Sequence, residues 1–229
     1  MQERQVDVAI IGSGSAGLYA MSKVRPSGKS VVLINGGEVG TTCARVGCMP
    51  SKAIIQVAED FHRRGVFKRF GLEGQESLSL DVAEAMEYVQ DLRDMFVERV
   101  ISNSTDKMPE GMFIEGYAHF VEPHLLEMDD GQRIRADKVI IATGSRPVIP
   151  AAWEPFRDRI ITTDEFFDLE DLPDSIAIVL WMMSPSTRAV DVRRTFNPRT
   201  LPMMRPLTTT SSAMTSPLIV APSPTVSRC

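Results

Sequence analysis

Apolar and polar positions follow two different rhythms along this chain, and the switches between them predict its elements. Residues 6–11, Val-Asp-Val-Ala-Ile-Ile, form a short, mostly apolar, β-branched run of the kind that becomes a buried parallel strand. The turn Gly12-Ser-Gly-Ser-Ala-Gly17 follows directly. Residues 18–24 then read as a helix stopped by Pro26 and Gly28, and residues 30–34 as a second buried strand. Residues 49–64 read as helical. Residues 79–103 predict a long amphipathic helix with Val82, Met86, Val89, Met95, Phe96 and Val100 as core contacts. From Met112 the pattern shortens to strands at 112–121, 125–128, 132–136 and 138–142, with a turn at Asp130-Gly131. Such a pattern describes a small antiparallel meander that returns to a buried strand. Residues 142–147, Ala-Thr-Gly-Ser-Arg-Pro, end that strand in a second glycine turn; 166–173 read as an acidic linker, and 175–179 begin another buried strand.

After residue 179 the pattern stops. All 15 glycines precede residue 180, whereas seven of the 15 prolines follow it, and residues 180–229 carry six arginines and no lysine against a single acid, Asp191. Serines and threonines scatter there without periodicity, the composition of a loop or disordered tail rather than a packed layer. Because the break falls in mid-strand, near Leu180, the expectation is a chain that leaves its ancestral reading frame there. An Arg/Pro/Ser/Thr-rich interaction tail is the competing reading. The domain organisation read from the sequence is therefore 1–150 as a dinucleotide-binding domain, 151–179 as a linker plus the first strand of a further domain, and 180–229 as an aberrant tail.

Composition narrows the function classes. With 43% hydrophobic residues the chain can bury a core, and a net charge of −5 argues against a nucleic-acid binder, which would show a basic face. No run approaches the roughly 20 apolar residues of a membrane span, and Asp7 and the glycines interrupt any signal-like segment. Three cysteines are a poor match to a secreted disulfide scaffold, so a cytoplasmic setting is expected.

In that setting a close cysteine pair calls for a chemical explanation. Cys43 and Cys48 lie in Gly40-Thr-Thr-Cys-Ala-Arg-Val-Gly-Cys-Met-Pro-Ser-Lys52. Five residues of regular helix would separate their Cα atoms by about 8 Å through rise alone, beyond the roughly 4.4–6.8 Å a disulfide spans. The segment must therefore bend, and Gly47 is suited to allow it. Cys48 at the start of a helix would have its thiolate favoured by the dipole and free N–H groups, with Arg45 and Lys52 adding positive charge. Those are the requirements of a dithiol redox centre. Zinc is not expected, since C-x4-C lacks a second Cys/His pair and His62, His119 and His124 are unsuitably spaced. Strand, glycine turn, helix and strand within about thirty residues support a phosphate-cradling role for Gly12, Gly14 and Gly17.

These three segments in order, GSGSAG, GTTCARVGCMPSK and VIIATGSRP, resemble the FAD domain of the pyridine nucleotide-disulfide oxidoreductases, and the dithiol wording is most similar to the dihydrolipoamide dehydrogenase branch. The resemblance covers about residues 5–179. It implies an α/β, Rossmann-like doubly wound FAD-binding domain with a small antiparallel β-meander, here incomplete. It further implies that Gly12, Gly14 and Gly17 cradle the FAD pyrophosphate and that Lys52 tunes the flavin. Cys48 would be the flavin-facing, charge-transfer sulfur, and Cys43 the interchange thiol for a small disulfide or dithiol substrate such as lipoamide. The backbone near Ala118 would approach the adenine, and Thr143, Gly144 and Ser145 would line the flavin site. In the intact family electrons pass between dihydrolipoamide, the cysteine pair, FAD and NAD, in a homodimer.

Three departures qualify the expectation. The acid expected after the second strand to bond the adenosine ribose is Asn35, an amide without charge assistance, with Glu38 as the nearest substitute. The second glycine cradle, for NAD, would follow residues 175–179, but the chain reads Leu-Trp-Met-Met-Ser-Pro there. The segment that closes the FAD domain and the interface domain with its His–Glu pair have no counterpart. The reading is thus a truncated family member that does not turn over NAD-linked substrate. The alternatives are a mercuric- or glutathione-reductase-like enzyme, a noncatalytic flavin- or partner-binding fragment, and a product that does not fold stably because of an open sheet edge.

Overall fold

The computed structural model describes residues 3–173, 175–178, 194–196 and 218–221. In chain order the elements are β1 (Glu3–Ile11), α1 (Ser15–Val24), β2 (Val31–Asn35), α2 (Thr42–Arg45), α3 (Cys48–Arg63), α4 (Val82–Asn103), β3 (Phe113–Glu115), β4 (Ala118–Glu122), β5 (Leu125–Met128), β6 (Arg133–Ile141), β7 (Ile160–Thr162), α5 (Thr163–Phe166), β8 (Ile176–Ile178), β9 (Arg194–Phe196) and β10 (Leu218–Ala221), with short 3-10 turns between several of them. The chain divides into two compact units, one of Met1–Arg45 with Arg93–Gly144 and one of Val46–Leu92 with Ser145–Cys229.

The first unit is built on a six-stranded sheet in the order β3-β2-β1-β6-β5-β4. β1 lies at its centre, parallel to β2 from Val8↔Val31 to Ile11↔Ile34 and parallel to β6 from Glu3↔Arg133 to Ile11↔Ile141. β3 extends the parallel part beside β2, while β4 and β5 add antiparallel strands beyond β6. Two apolar layers hold it. One cluster gathers Val6, Ala9, Val32, Ile34, Leu126, Met128, Ile134 and Ala136; the other gathers Val8, Ile10, Val31 and Leu33 with Met21 of α1. Because successive strand side chains point to opposite faces, the apolar residues 8–11 of β1 feed both layers at once, as a strand covered on two sides requires. The charged ends are tied across the strands. Arg135 donates from Nε to Glu3 Oε1 at 2.7 Å, and Arg133 donates to Glu127 Oε2 at 2.7 Å.

Sequence and structure differ in three places here. The run 112–121 is not one strand: Gly116, at φ 139°, breaks it, β3 joining the parallel sheet and β4 the antiparallel meander. A side chain at Gly116 would meet Asp129 Oδ1 at 2.7 Å, so the break is fixed by close packing as well as by backbone conformation. Conversely 132–136 and 138–142 are a single strand, β6, because β1 continues alongside past Asp137. On α4, Val82, Met86 and Val89 are buried as expected, but Met95 is 45% exposed. The 3.6-residue period carries the apolar stripe through Phe96, Val97 and Val100 and turns Met95 outward.

The second unit has a four-stranded sheet in the order β7-β10-β8-β9, with β10 parallel to both β7 and β8, and β9 antiparallel to β8. Its core gathers Val82, Met86, Leu172 and Ile176, together with Val46, Val89 and Phe167. The segment expected to be an acidic linker is packed: Phe167 and Leu172 are buried, and Gln90 Nε2 donates to the Leu169 carbonyl at 2.9 Å. Within 180–229, expected to be structureless, β9 and β10 are strands, and the remaining residues of the tail lie outside those described. β10, Leu-Ile-Val-Ala, is an apolar run of strand-forming residues that composition alone overlooks.

Candidate functional site

The turn between β1 and α1 is shaped by what its glycines lack. Gly12 sits at φ +106°, a conformation side-chain-bearing residues rarely adopt, and its N–H donates to the Ile34 carbonyl at 2.7 Å. A Cβ at Gly12 would run into the carbonyl of Ala142 and approach the Thr143 nitrogen to 3.2 Å. A Cβ at Gly17 would strike the Gly12 carbonyl oxygen. These two glycines therefore serve internal packing, bringing the start of α1 down onto the turn and the turn against the end of β6. Gly14 is different: a Cβ there meets nothing within 4 Å. It stands just ahead of α1, accepts the first helical bond from Leu18 N–H at 2.9 Å, and no side chain caps the helix. The ten-residue helix thus presents its first free N–H groups beside an open backbone face, the arrangement that binds a phosphate oxyanion. These features fit the pyrophosphate of a dinucleotide.

The end of β2 borders this turn. Ser13 is buried, and its N–H donates to Asn35 Oδ1 at 3.1 Å, while Asn35 Nδ2 donates to the Gly37 carbonyl at 2.5 Å. Glu38, expected as a substitute acid, is paired with Arg45, so Arg45 spends its charge on Glu38 instead of standing as an unpaired cation near the thiols. Ala118 opens β4, opposite Met128, and the preceding Tyr117 ring lies where a Cβ on Gly36 would be. Thr143 and Gly144 follow β6, both exposed, with Gly144 at φ +71°; Ser145, also exposed, begins the second stretch of the other unit.

The dithiol motif is divided between the two units. Cys43 lies in α2, in the first, and Cys48 is the opening residue of α3, in the second; both are half-buried. The helical path is interrupted between them, α2 ending at Arg45 and Gly47 taking a non-helical conformation at φ −132°, ψ −117°. Both the bend at Gly47 and the helix start at Cys48 agree with the sequence reading. Lys52, one turn further along α3, is exposed. Sequence reasoning missed Thr41. It holds φ +65°, unusual for a β-branched residue, its Oγ1 accepts from Ala44 N–H at 3.2 Å and its carbonyl accepts from Arg45 N–H at 3.0 Å, so it sets the first turn of α2. The signal was a Thr-Thr pair directly ahead of a cysteine, the side-chain chemistry of a helix start. Among the described residues no group of three or more His, Cys, Asp or Glu side chains is gathered as metal ligands, and no helix is long and apolar enough to cross a membrane.

Residues 6–179 match the family described as pyridine nucleotide-disulphide oxidoreductase, and the chain belongs to that family. Its members are flavoproteins that bind FAD. The chain is 29% identical over 189 residues to a dihydrolipoyl dehydrogenase of Bacillus subtilis, covering 76% of this chain and 39% of the relative. It is 28% identical to the soluble pyridine nucleotide transhydrogenase of Mycobacterium bovis, covering 77% and 38%. Among solved structures, the HOCl-induced flavoprotein disulfide reductase RclA from Escherichia coli superposes with a TM-score of 0.57 at 22% identity, over 77% of this chain and 36% of that one, a likeness of fold. The chain thus spans well under half the length of the relatives it matches.

Proposed function

We propose that this chain is the FAD-binding and dithiol-bearing part of an FAD-dependent disulfide oxidoreductase of dihydrolipoyl dehydrogenase type. The observation that carries this reading is that one family match runs through the glycine turn, the Cys43/Cys48 segment and the 142–147 turn in a single stretch. FAD, when bound, would supply a two-electron acceptor or donor for the thiols. Free N–H groups at the start of α1 and the open backbone at Gly14 hold its pyrophosphate; Ala118 serves the adenine end, and Lys52, Thr143, Gly144 and Ser145 the ring end. Facing a small disulfide, the Cys43 thiolate attacks one sulfur, the substrate S–S bond breaks, and one substrate thiol leaves with a proton. Cys48 then attacks the Cys43 sulfur, releasing the second thiol and leaving the Cys43–Cys48 disulfide. Two electrons have passed from the protein pair to the substrate. With a dithiol such as dihydrolipoamide the same steps run backwards. Assembly as a cytoplasmic homodimer goes with this reading.

The test uses the full chain purified with FAD and handled without oxygen. Dihydrolipoamide should change the long-wavelength flavin absorbance of the wild type and leave two more alkylatable thiols, at Cys43 and Cys48. Cys48→Ser should abolish the absorbance change. A chain that retains no flavin, or a flavin spectrum indifferent to dithiol, overturns the proposal. Parallel stopped-flow traces with lipoamide, glutathione disulfide and Hg(II) distinguish the lipoamide reading from the glutathione- and mercuric-reductase readings.

A further inference from the structure

We infer that the outer edge of β6 between Lys138 and Ile141 is a pairing surface for a second copy of this chain, the two strands running antiparallel about a two-fold axis at Ile140. The inference stands on the sheet of the first unit and does not draw on the flavin reading.

β6 is covered unevenly. On one side β1 accompanies it as far as Ile141, but on the other β5 pairs only with Arg133 to Arg135, and Ala136 N–H makes the next bond, to the His124 carbonyl at 2.8 Å. Among the described residues no strand pairs with that side from Lys138 onward. The backbone there serves one neighbour. Gly12 N–H donates to the Ile34 carbonyl of β2, which turns residues 9 and 11 of β1 toward β6, and Ala142 N–H donates back to the Ile11 carbonyl at 2.8 Å. Alternation along the strand then points the N–H and C=O groups of Val139 and Ile141 away from β1, into the open edge. Across Asp137, which has no partner in the β1–β6 register, this alternation starts afresh. Ile141 is 66% exposed, an apolar end to an edge without a cover.

What fits this edge is the edge itself. In an antiparallel pair centred on Ile140, Val139 of each copy stands opposite Ile141 of the other, and because these are the residues whose backbone groups point outward, each pair exchanges two hydrogen bonds. Ile140, whose groups face β1, takes the non-hydrogen-bonded position opposite its own counterpart. The facing pairs are Val with Ile, Ile with Ile and Ile with Val, β-branched combinations that pack well across strands, and the single charge in the stretch, Lys138, stands opposite Ala142. Moving the axis by one residue sets Ile141 opposite Asp137, or Val139 opposite Thr143, and breaks that matching. The incoming strand ends with its Ala142 opposite Lys138, two residues short of Ala136 and the His124 turn. The contact is therefore isologous and closed, a dimer and not a fibre. Being short, it falls below the roughly 1,200–2,000 Å² of a stable interface, so the dimer is weak and depends on concentration.

The experiment follows amide hydrogen exchange in the full wild-type chain over about a hundredfold range of protein concentration. The amides of Val139 and Ile141 should slow about tenfold or more at the high end, while those of Ile140 and Ala142, bonded to β1, stay slow throughout. Exchange at Val139 and Ile141 that ignores concentration overturns the inference. Sedimentation equilibrium should show the wild type self-associating and Ile141→Lys doing so at least about tenfold more weakly, since a lysine on an edge strand opposes pairing and the exposed position leaves the monomer fold intact. A monomeric wild type, or equal association by the two chains, overturns it as well. Ile140→Cys, oxidised at high concentration and mapped by mass spectrometry, should form a disulfide between residues 140 of two chains, because facing Cα atoms at a non-hydrogen-bonded position lie about 4.5 Å apart, within reach of that bond. A disulfide formed more readily by Val139→Cys or Ile141→Cys sets a different register and overturns the axis at Ile140. Should Ile140→Cys fail to fold, the exchange and sedimentation results decide.

Discussion

Alanine substitutions at Gly12 and Gly14 should separate structure from binding within a single turn. At Gly12, alanine takes two penalties. Holding an L-residue at φ +106° costs about 1–3 kcal/mol, and its Cβ overlaps the Ala142 carbonyl, in a residue tied to the sheet through its N–H, which donates to the Ile11 carbonyl at 2.8 Å. Together these should remove about 3 kcal/mol or more, a large share of the roughly 5–15 kcal/mol that holds a domain folded. At Gly14 the conformation, φ −71° and ψ −175°, suits any residue, and the Cβ meets open space. The cost of alanine as a helix cap, some tenths of a kcal/mol to about 1, is offset by about 0.4–1 kcal/mol of lost unfolded-state freedom. Urea unfolding of the FAD-free chain should therefore show a lowered midpoint for Gly12→Ala and one within about 0.5 kcal/mol of wild type for Gly14→Ala. FAD affinity, read by flavin fluorescence, should fall for Gly14→Ala at least about tenfold, because the new methyl occupies the face the pyrophosphate needs. A Gly14→Ala chain that binds FAD within twofold of wild type, or a Gly12→Ala chain with an unchanged midpoint, would refute the reasoning.

The other predictions concern stability. Asp7 accepts from Ser30 Oγ–H at 2.6 Å and from Ser30 N–H at 2.7 Å, and the Ser30 bonds, with Lys29 nearby, hold its carboxyl below the usual range. A carboxylate pKa depressed by folding stabilises above its unfolded value and loses that contribution as pH falls through its folded value. The midpoint difference between wild type and Asp7→Asn should accordingly be present at pH 7 and shrink as the pH falls below the ordinary aspartate range and through the lowered folded value. Buried Thr162 accepts from Asp164 N–H at 3.3 Å and donates its own N–H to Glu165 at 2.8 Å, so Thr162→Ala should cost about 1 kcal/mol in urea titrations and Thr162→Ser much less. Leu33, fully buried beside α1, should cost about 2–5 kcal/mol as alanine, measured in the same way.

How much of this was legible in the sequence depends on the distance over which each element is decided. β1, the glycine turn, α1 and β2 are specified by neighbours a few residues away, and their boundaries shift by no more than three residues between reading and structure. The start of α3 at Cys48 was legible for the same reason. Elements fixed by remote partners were not. Whether 112–121 is one strand or two depends on β2 and on Asp129, and whether Asp137 interrupts β6 depends on β1, more than a hundred residues earlier. The buried role of Phe167 and Leu172 was hidden because the acids between them dominate the composition of that stretch. In the site, the motifs named the glycines and cysteines. The use of Asn35 as a two-armed bridge was not foreseeable, since it depends on where the Ser13 and Gly37 backbone groups come to lie.

The central strand has its own consequence for biogenesis. β1 is synthesised well before its longer partner, β6, which is completed only at Ile141. As the nascent chain emerges, the apolar segment ending at Ile11 has β2 on one flank and nothing on the other until the β5–β6 hairpin arrives, a delay set by topology and not by local propensity. Pausing of translation between the two strands should therefore be the moment at which this polypeptide most needs a chaperone.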